Sequence, residues 1–138
     1  MDSQKDPEIQ RLYQLNKHQL SDLLFMEEEL RFLKSILNKY FSTIVNDVYL
    51  NRIPLISSEL TQLGMVKSNV VKDILLHQQN LESGNNDILK KSTHFLKIES
   101  DRIEYEIRDI HKCFRNIKKE IFTIYKNSSA KCREEKNS

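Results

Sequence analysis

Four histidines and two cysteines are the side chains in this 138-residue sequence that are best suited to ligate a metal or to act in catalysis. A di-iron carboxylate bundle needs Glu-x-x-His on two helices, because residues three apart project from one helix face. Non-glutamate residues stand three positions before every histidine, namely Leu15, Ile74, Lys91 and Arg108. The motifs HExxH and GxSxG do not occur either. The sequence therefore predicts a protein that is not an enzyme and that holds no cofactor.

One group of polar residues nevertheless falls on the inward side of the predicted helices. Folding the chain at its two predicted connections sets Glu27, His77 and Thr93 at one height, with His94 next to Thr93. A buried ionisable side chain needs a partner, so we interpret this group as a hydrogen-bonded layer that fixes the register of the helices. The alternative is a metal or small-ligand site made by Glu27, His77 and His94.

Long helices are the elements that must position these residues, because the sequence has only two Gly and two Pro. β-Sheets and phosphate-binding loops both need more turn residues than that. Asp6, Pro7 and Glu8 supply an N-cap, a first helical residue and an acidic first turn, so a helix should begin there. Pro54 should separate this helix from the next, since proline disfavours helical geometry in the residue before it.

Apolar residues recur every seven positions along the last part of the chain, at Leu89, Leu96, Ile103, Ile110, Ile117 and Ile124. Such a row predicts one continuous helix with a coiled-coil seam. We expect an all-α fold, namely an up-down-up antiparallel three-helix bundle with long coiled-coil-like helices. The predicted bundle spans residues 1–127, with helices near 7–49, 55–82 and 87–126, followed by a polar, disordered tail at 128–138.

Some apolar residues fall on the outward side of these helices. Phe25 and Phe32 lie seven residues apart on the first helix, and Ile98 and Tyr105 do the same on the third. The second helix is too short to cover the end of the third, which carries Phe122 and Tyr125. Paired apolar rows on a small bundle predict a contact surface. The alternative is that a rotation of the helices buries the paired rows in the core.

Charge is unevenly distributed along the chain, although the formal net charge is only +2. Residues 108–138 contain nine Lys or Arg and four Asp or Glu. A basic terminal stretch can follow phosphates or an anionic membrane surface. It can also complement the negative end of a helix dipole and keep a tail solvated, which is the interpretation that we favour. Few aromatic residues alternate with these cations, so binding of a nucleic acid or a membrane surface ranks last among the possible functions.

Cellular location is predicted from what the sequence lacks. Cys113 and Cys132 are too few for a disulfide framework, and no CxxC spacing for zinc occurs. The first residues do not resemble a signal peptide, and no stretch approaches 18 uncharged apolar residues. We therefore expect a cytoplasmic protein with reduced thiols and no transmembrane segment.

A family resemblance rests on four segments: HQL at 18–20, LFMEEELRFL at 24–33, LNKY at 37–40 and KKEIF at 118–122. In layout, the chain resembles small uncharacterised all-helical proteins of Bacteroidetes such as flavobacteria. The resemblance implies a three-helix bundle and a bacterial source, and it implies no activity, cofactor or catalytic residue.

Three functions remain open from the sequence. The first is a non-catalytic bundle that forms a homo-oligomer, most simply a dimer, or binds another helical protein. The second is a bundle that binds a metal or small ligand at the Glu27/His77 layer. The third is binding of a nucleic acid or a membrane surface through the basic C-terminal stretch.

Overall fold

The computed structural model describes residues 7–41, 51–83 and 93–137. These residues form three α-helices, α1 (Pro7–Phe41), α2 (Arg52–Ser83) and α3 (Thr93–Asn137). No strand occurs in these ranges. The three helices pack against one another, so the prediction of an all-α three-helix bundle is confirmed.

The start of α1 follows the prediction. Pro7 is its first residue, where the missing N–H of proline leaves no hydrogen bond unmade, and Glu8 lies in the first turn near the positive end of the helix dipole. Arg11 donates two hydrogen bonds to Glu8 and holds the pKa of that carboxyl below its usual value. The predicted continuation to residue 49 and the predicted start of the third helix at residue 87 lie outside the described residues.

The start of α2 corrects the prediction by one turn. We expected the helix to begin at residue 55, but it begins at Arg52 and includes Pro54. A proline is accepted there because the first N–H groups of a helix have no partner within the helix. Two contacts hold the preceding residues in place: Ile53 is buried, and Arg52 donates hydrogen bonds to Glu120 on α3.

The end of α3 corrects a second prediction. We expected a disordered tail over residues 128–138, but α3 continues through Asn137. The sequence from 128 to 137 contains no Gly or Pro, and it includes Ala, Lys, Arg and Glu, which all favour helix. A loss of apolar residues therefore does not mark the end of this helix.

The chain divides into two compact units. The first unit comprises residues 1–26 and 66–110, and the second comprises residues 27–65 and 111–138. Each unit takes one segment from each of the three helices.

The core of the first unit begins with a cluster of four buried residues, Ile9, Leu12, Leu81 and Leu96, against which Tyr13 packs. Farther along, Gln19 of α1 bonds to Glu104 of α3, so these two helices run in the same direction. His77 contacts Ser100, and Asp73 contacts Arg102, so α2 runs opposite to α3. The unit therefore has the predicted up-down-up topology.

The core of the second unit is entirely apolar among its described side chains. Its buried residues are Leu30, Leu33, Leu37, Ile53, Ile56, Leu60, Leu63, Phe114, Ile117, Ile121 and Ile124. Polar contacts lie at the edges of this core, where Arg52 pairs with Glu120 and Lys118 Nζ lies 3.4 Å from Glu29 Oε2.

Candidate functional site

Buried polar side chains are concentrated in the first unit. Five such residues occur in the described part of the chain, each at most 3% exposed: Asn16, Gln19, Lys67, His77 and Ser100. All five belong to the first unit. Buried polar groups are costly unless they are hydrogen-bonded, so their positions and partners are the first place to look for a function.

His77 forms the centre of this group. Its Nε2 lies 2.7 Å from the Oγ of Ser100, which is a full hydrogen bond between two buried side chains. The prediction that His77 is buried is correct. The predicted partner was Thr93, and the observed partner lies one heptad later on α3. Thr93 and Ser100 occupy equivalent positions in the repeat, so the predicted register is wrong by seven residues.

The other predicted members of the layer lie elsewhere. Glu27 is only partly buried and belongs to the second unit, where it pairs with Arg31 at 3.8 Å. His94 is exposed on α3. Among the residues that the structure describes, no three His, Cys, Asp or Glu side chains are grouped so that they could hold a metal ion. The predicted layer of Glu27, His77 and Thr93 is therefore corrected to a pair of His77 and Ser100, and the structure does not bring Glu27, His77 and His94 together either.

Asn16 lies at the same level of the first unit as this pair. Leu12, Leu81 and Leu96 belong to one cluster. Asn16 lies four residues after Leu12, His77 lies four residues before Leu81, and Ser100 lies four residues after Leu96. Each is therefore one helical turn from the cluster, on the same side of it. We call these three residues the polar layer. Three of its atoms are buried without a hydrogen-bond partner among the described residues: both amide atoms of Asn16 and Nδ1 of His77.

The distance between Ser100 and His77 is that of a catalytic nucleophile and its general base. Two features of the pair argue against catalysis. Both side chains are 1% exposed, so a substrate has no open path to the hydroxyl. A catalytic base also needs a group that orients its second nitrogen, and Nδ1 of His77 has no partner in the part of the chain that is described. The geometry suits a structural hydrogen bond.

Burial keeps His77 neutral, and two nearby charges act on it in opposite directions. Burial lowers the pKa of His77, the charge of Arg102 lowers it further, and the charge of Glu99 opposes both effects. Arg102 bonds to Glu99, and it also donates to Glu106 at 2.8 Å and to Asp73 at 3.4 Å. The hydrogen bond from Arg102 lowers the pKa of Glu99. His77 is therefore uncharged at neutral pH.

The remaining buried polar residues lie farther along the first unit. Gln19 donates from Nε2 to Glu104 at 2.8 Å, and its Oε1 is buried without a partner among the described residues. Burial lowers the pKa of Lys67. Asn16, Gln19 and Lys67 were not among the residues predicted from the sequence to form a site. The available signal was their position on inward heptad rows otherwise filled by apolar residues.

Exposed apolar residues form the second candidate site. The structure exposes all six residues of the predicted contact surface, namely Phe25, Phe32, Ile98, Tyr105, Phe122 and Tyr125. The alternative that a helix rotation buries the paired rows is therefore wrong. Seven further apolar residues are exposed, and none of them belonged to the predicted contact surface: Leu24, Leu55, Met65, Val66, Leu75, Leu76 and Phe95.

An open groove of about 550 Å³ lies between the start of α1 and the end of α2 in the first unit. Its lining includes Arg11, Tyr13 and Glu82. The Tyr13 hydroxyl donates to Glu82 at 3.4 Å, and the Lys17 ammonium lies over the Tyr13 ring. The polar side chains Tyr13 and Glu82 of this groove therefore bond to each other.

Within the described ranges, no helix combines the length and the apolar character needed to cross a membrane. The resemblance to helical proteins of Bacteroidetes stays a prediction. No protein-family model, curated protein or solved structure matches the chain.

Proposed function

We propose that this protein is a non-catalytic helical bundle that associates through an outer apolar row on α1, in the first place with a second copy of itself. The observation that carries the proposal is the exposure of Phe25 and Phe32, each 66% exposed and one heptad apart on α1. Full burial of a Phe side chain contributes roughly 1.5–3 kcal/mol, so covering both rings is a strong drive to associate.

The spacing of this row favours a helix as the partner. Two side chains seven residues apart lie about 10.5 Å apart along one face of α1. A facing helix offers holes at that interval for the two rings. Leu24, which is also exposed, precedes Phe25 and widens the row. Another helical protein with the same heptad spacing is the second candidate partner.

The buried polar residues support a structural rather than a catalytic role for the interior. The Ser100–His77 pair is closed to solvent, and the metal-ligating residue types are not grouped in the described part of the chain. A polar residue at one core position of a coiled coil specifies register and the number of helices. We assign that role to the polar layer and assign binding to the outer surface.

Size-exclusion chromatography with light scattering tests the proposal on the full chain. We expect the wild type to be a dimer and the double variant Phe25→Ser/Phe32→Ser to be a soluble monomer with unchanged helicity. The matched control is Met65→Ser, because Met65 is 65% exposed on α2, outside the row. This control should remain a dimer.

Two results contradict the proposal. A monomeric wild type at the highest soluble concentration refutes self-association. Loss of helicity in the double variant shows instead that the two Phe side chains contribute to folding of the single chain, so they do not form a free outer row.

A further inference from the structure

A line of cations follows the outer face of α3 in the second unit. Lys112, Arg115, Lys119 and Lys126 are all exposed, and Phe122 lies between the last two with 53% of its surface exposed. Successive members are three or four residues apart, so they lie on one side of the helix. The line is about 21 Å long at 1.5 Å per residue. We call these five residues the basic ridge.

The charges of the basic ridge are not compensated within the described part of the chain. Its four cations form no ion pair with any residue that the structure describes. The neighbouring Lys118, which lies off the ridge, pairs with Glu29. Glu120 is the one acidic residue from 111 to 127, and its carboxylate bonds to Arg52 on α2. Asp109 lies three residues before Lys112, so the uncompensated positive charge of the ridge runs from Arg115 to Lys126.

We propose that the basic ridge binds the protein to a membrane surface that contains anionic lipids. Lysine and arginine side chains contact the lipid phosphates and carboxylates, and each cation near such a surface strengthens binding about fivefold. The proposal goes beyond self-association, because it uses α3 of the second unit and not the Phe25/Phe32 row.

Phe122 favours a lipid surface over a nucleic acid. An exposed aromatic ring among cations can enter the boundary between headgroups and acyl chains, where interfacial helices bury their apolar side chains. Tyr125, three residues later and also exposed, suits the same boundary. Non-specific nucleic-acid binding uses a positively charged groove with successive stacking rings. The ridge is instead the convex face of one helix and contains one aromatic ring.

Vesicle co-sedimentation of the full chain tests the proposal, with vesicles of phosphatidylcholine alone and of phosphatidylcholine with phosphatidylserine. We expect binding only to the vesicles with phosphatidylserine, and we expect added salt to weaken it. The variant Lys119→Gln/Lys126→Gln should bind about 25-fold more weakly, as two cations are lost. The matched control Lys72→Gln/Lys97→Gln removes two exposed lysines outside the ridge and should bind like the wild type.

Two further variants separate this surface from the proposed dimer and test the ring. If the ridge binds membranes independently of the Phe25/Phe32 row, the variant Phe25→Ser/Phe32→Ser should bind vesicles as tightly per chain as the wild type. The variant Phe122→Ser should bind more weakly and lose the part of binding that resists salt. Equal binding to both kinds of vesicle, or none to either, refutes the proposal. Tighter binding to a labelled oligonucleotide than to anionic vesicles, at the same salt concentration, refutes it in favour of a nucleic acid.

Discussion

Replacing Asn16 by Leu should stabilise the protein. Asn16 is 1% exposed, and both polar atoms of its amide lack a hydrogen-bond partner among the described residues. The chain therefore loses the hydration of this amide on folding without gaining a bond in return. Leucine has the same number of side-chain heavy atoms and the same branching at Cγ, so it fills a similar shape without the polar atoms.

The size of the effect follows from the two missing bonds. A buried polar group without a partner costs about 1–3 kcal/mol, and Leu removes that cost. The free energy of unfolding should therefore rise by about 1–3 kcal/mol, and Tm should rise by about 3–12 °C for a chain of this size. Urea unfolding followed by far-ultraviolet circular dichroism measures the first quantity, and thermal unfolding measures the second.

The opposite substitution, from leucine to asparagine at a core position, provides the control. Leu23 lies one heptad after Asn16 and is fully buried in the same unit. Leu23→Asn places an unpaired amide in an apolar layer, so it should destabilise the protein by more than about 2 kcal/mol. If Asn16→Leu lowers the free energy of unfolding by more than about 1 kcal/mol, then the Asn16 amide is well bonded in the native protein and the reasoning is wrong.

Two further predictions concern His77 and Gly64. Because burial lowers the pKa of His77 below the 6.5 of an ordinary histidine, the unfolded chain binds more protons as the pH falls below that value, so stability should fall by up to about 1.4 kcal/mol per pH unit. Urea midpoints measured across pH 6.5 should show this loss in the wild type and little of it in His77→Leu; an equal loss in both would assign it to other groups. Gly64 lies inside α2 without a positive φ, and a Cβ there meets no atom within 4 Å, so Gly64→Ala should stabilise the protein by about 1 kcal/mol. A drop in Tm for that variant would contradict the open space found beside Gly64.

Heptad spacing was sufficient to predict the helices and the direction of their faces. Phe25 and Phe32 were predicted to point outward and do so, and His77 was predicted to be buried and is. The spacing was not sufficient to predict the partner of His77. Apolar residues of α3 repeat every seven positions. Moving α3 along its axis by seven residues therefore places apolar residues opposite the apolar residues of α2 again, so the pattern alone cannot decide whether Thr93 or Ser100 faces His77.

Local chemistry explains the other differences. Pro54 was read as a boundary between helices, but a proline in the first turn needs no hydrogen bond, and the contacts of Arg52 and Ile53 extend the helix before it. The end of α3 was placed where apolar residues stop, although helix propensity persists to Asn137. Asn16 lay on an inward row, but nothing in the sequence showed that its amide would find no partner.

The heptad repeat allows α3 to pack in more than one register, and the polar layer helps to select one of them. A slide of α3 by one heptad keeps apolar residues opposite apolar residues almost everywhere in the first unit, so apolar packing alone discriminates poorly between registers. His77 is the exception, because a slide in one direction would place it opposite Ile107 and leave its imidazole without the Ser100 hydroxyl. Losing a buried hydrogen bond in this way costs about 1–3 kcal/mol, which disfavours that register. Within the polar layer, the unpartnered amide of Asn16 lowers the stability of the native packing, whereas the His77–Ser100 bond raises the free-energy gap to a misaligned packing. Asn16→Leu should therefore raise stability and leave that gap in place.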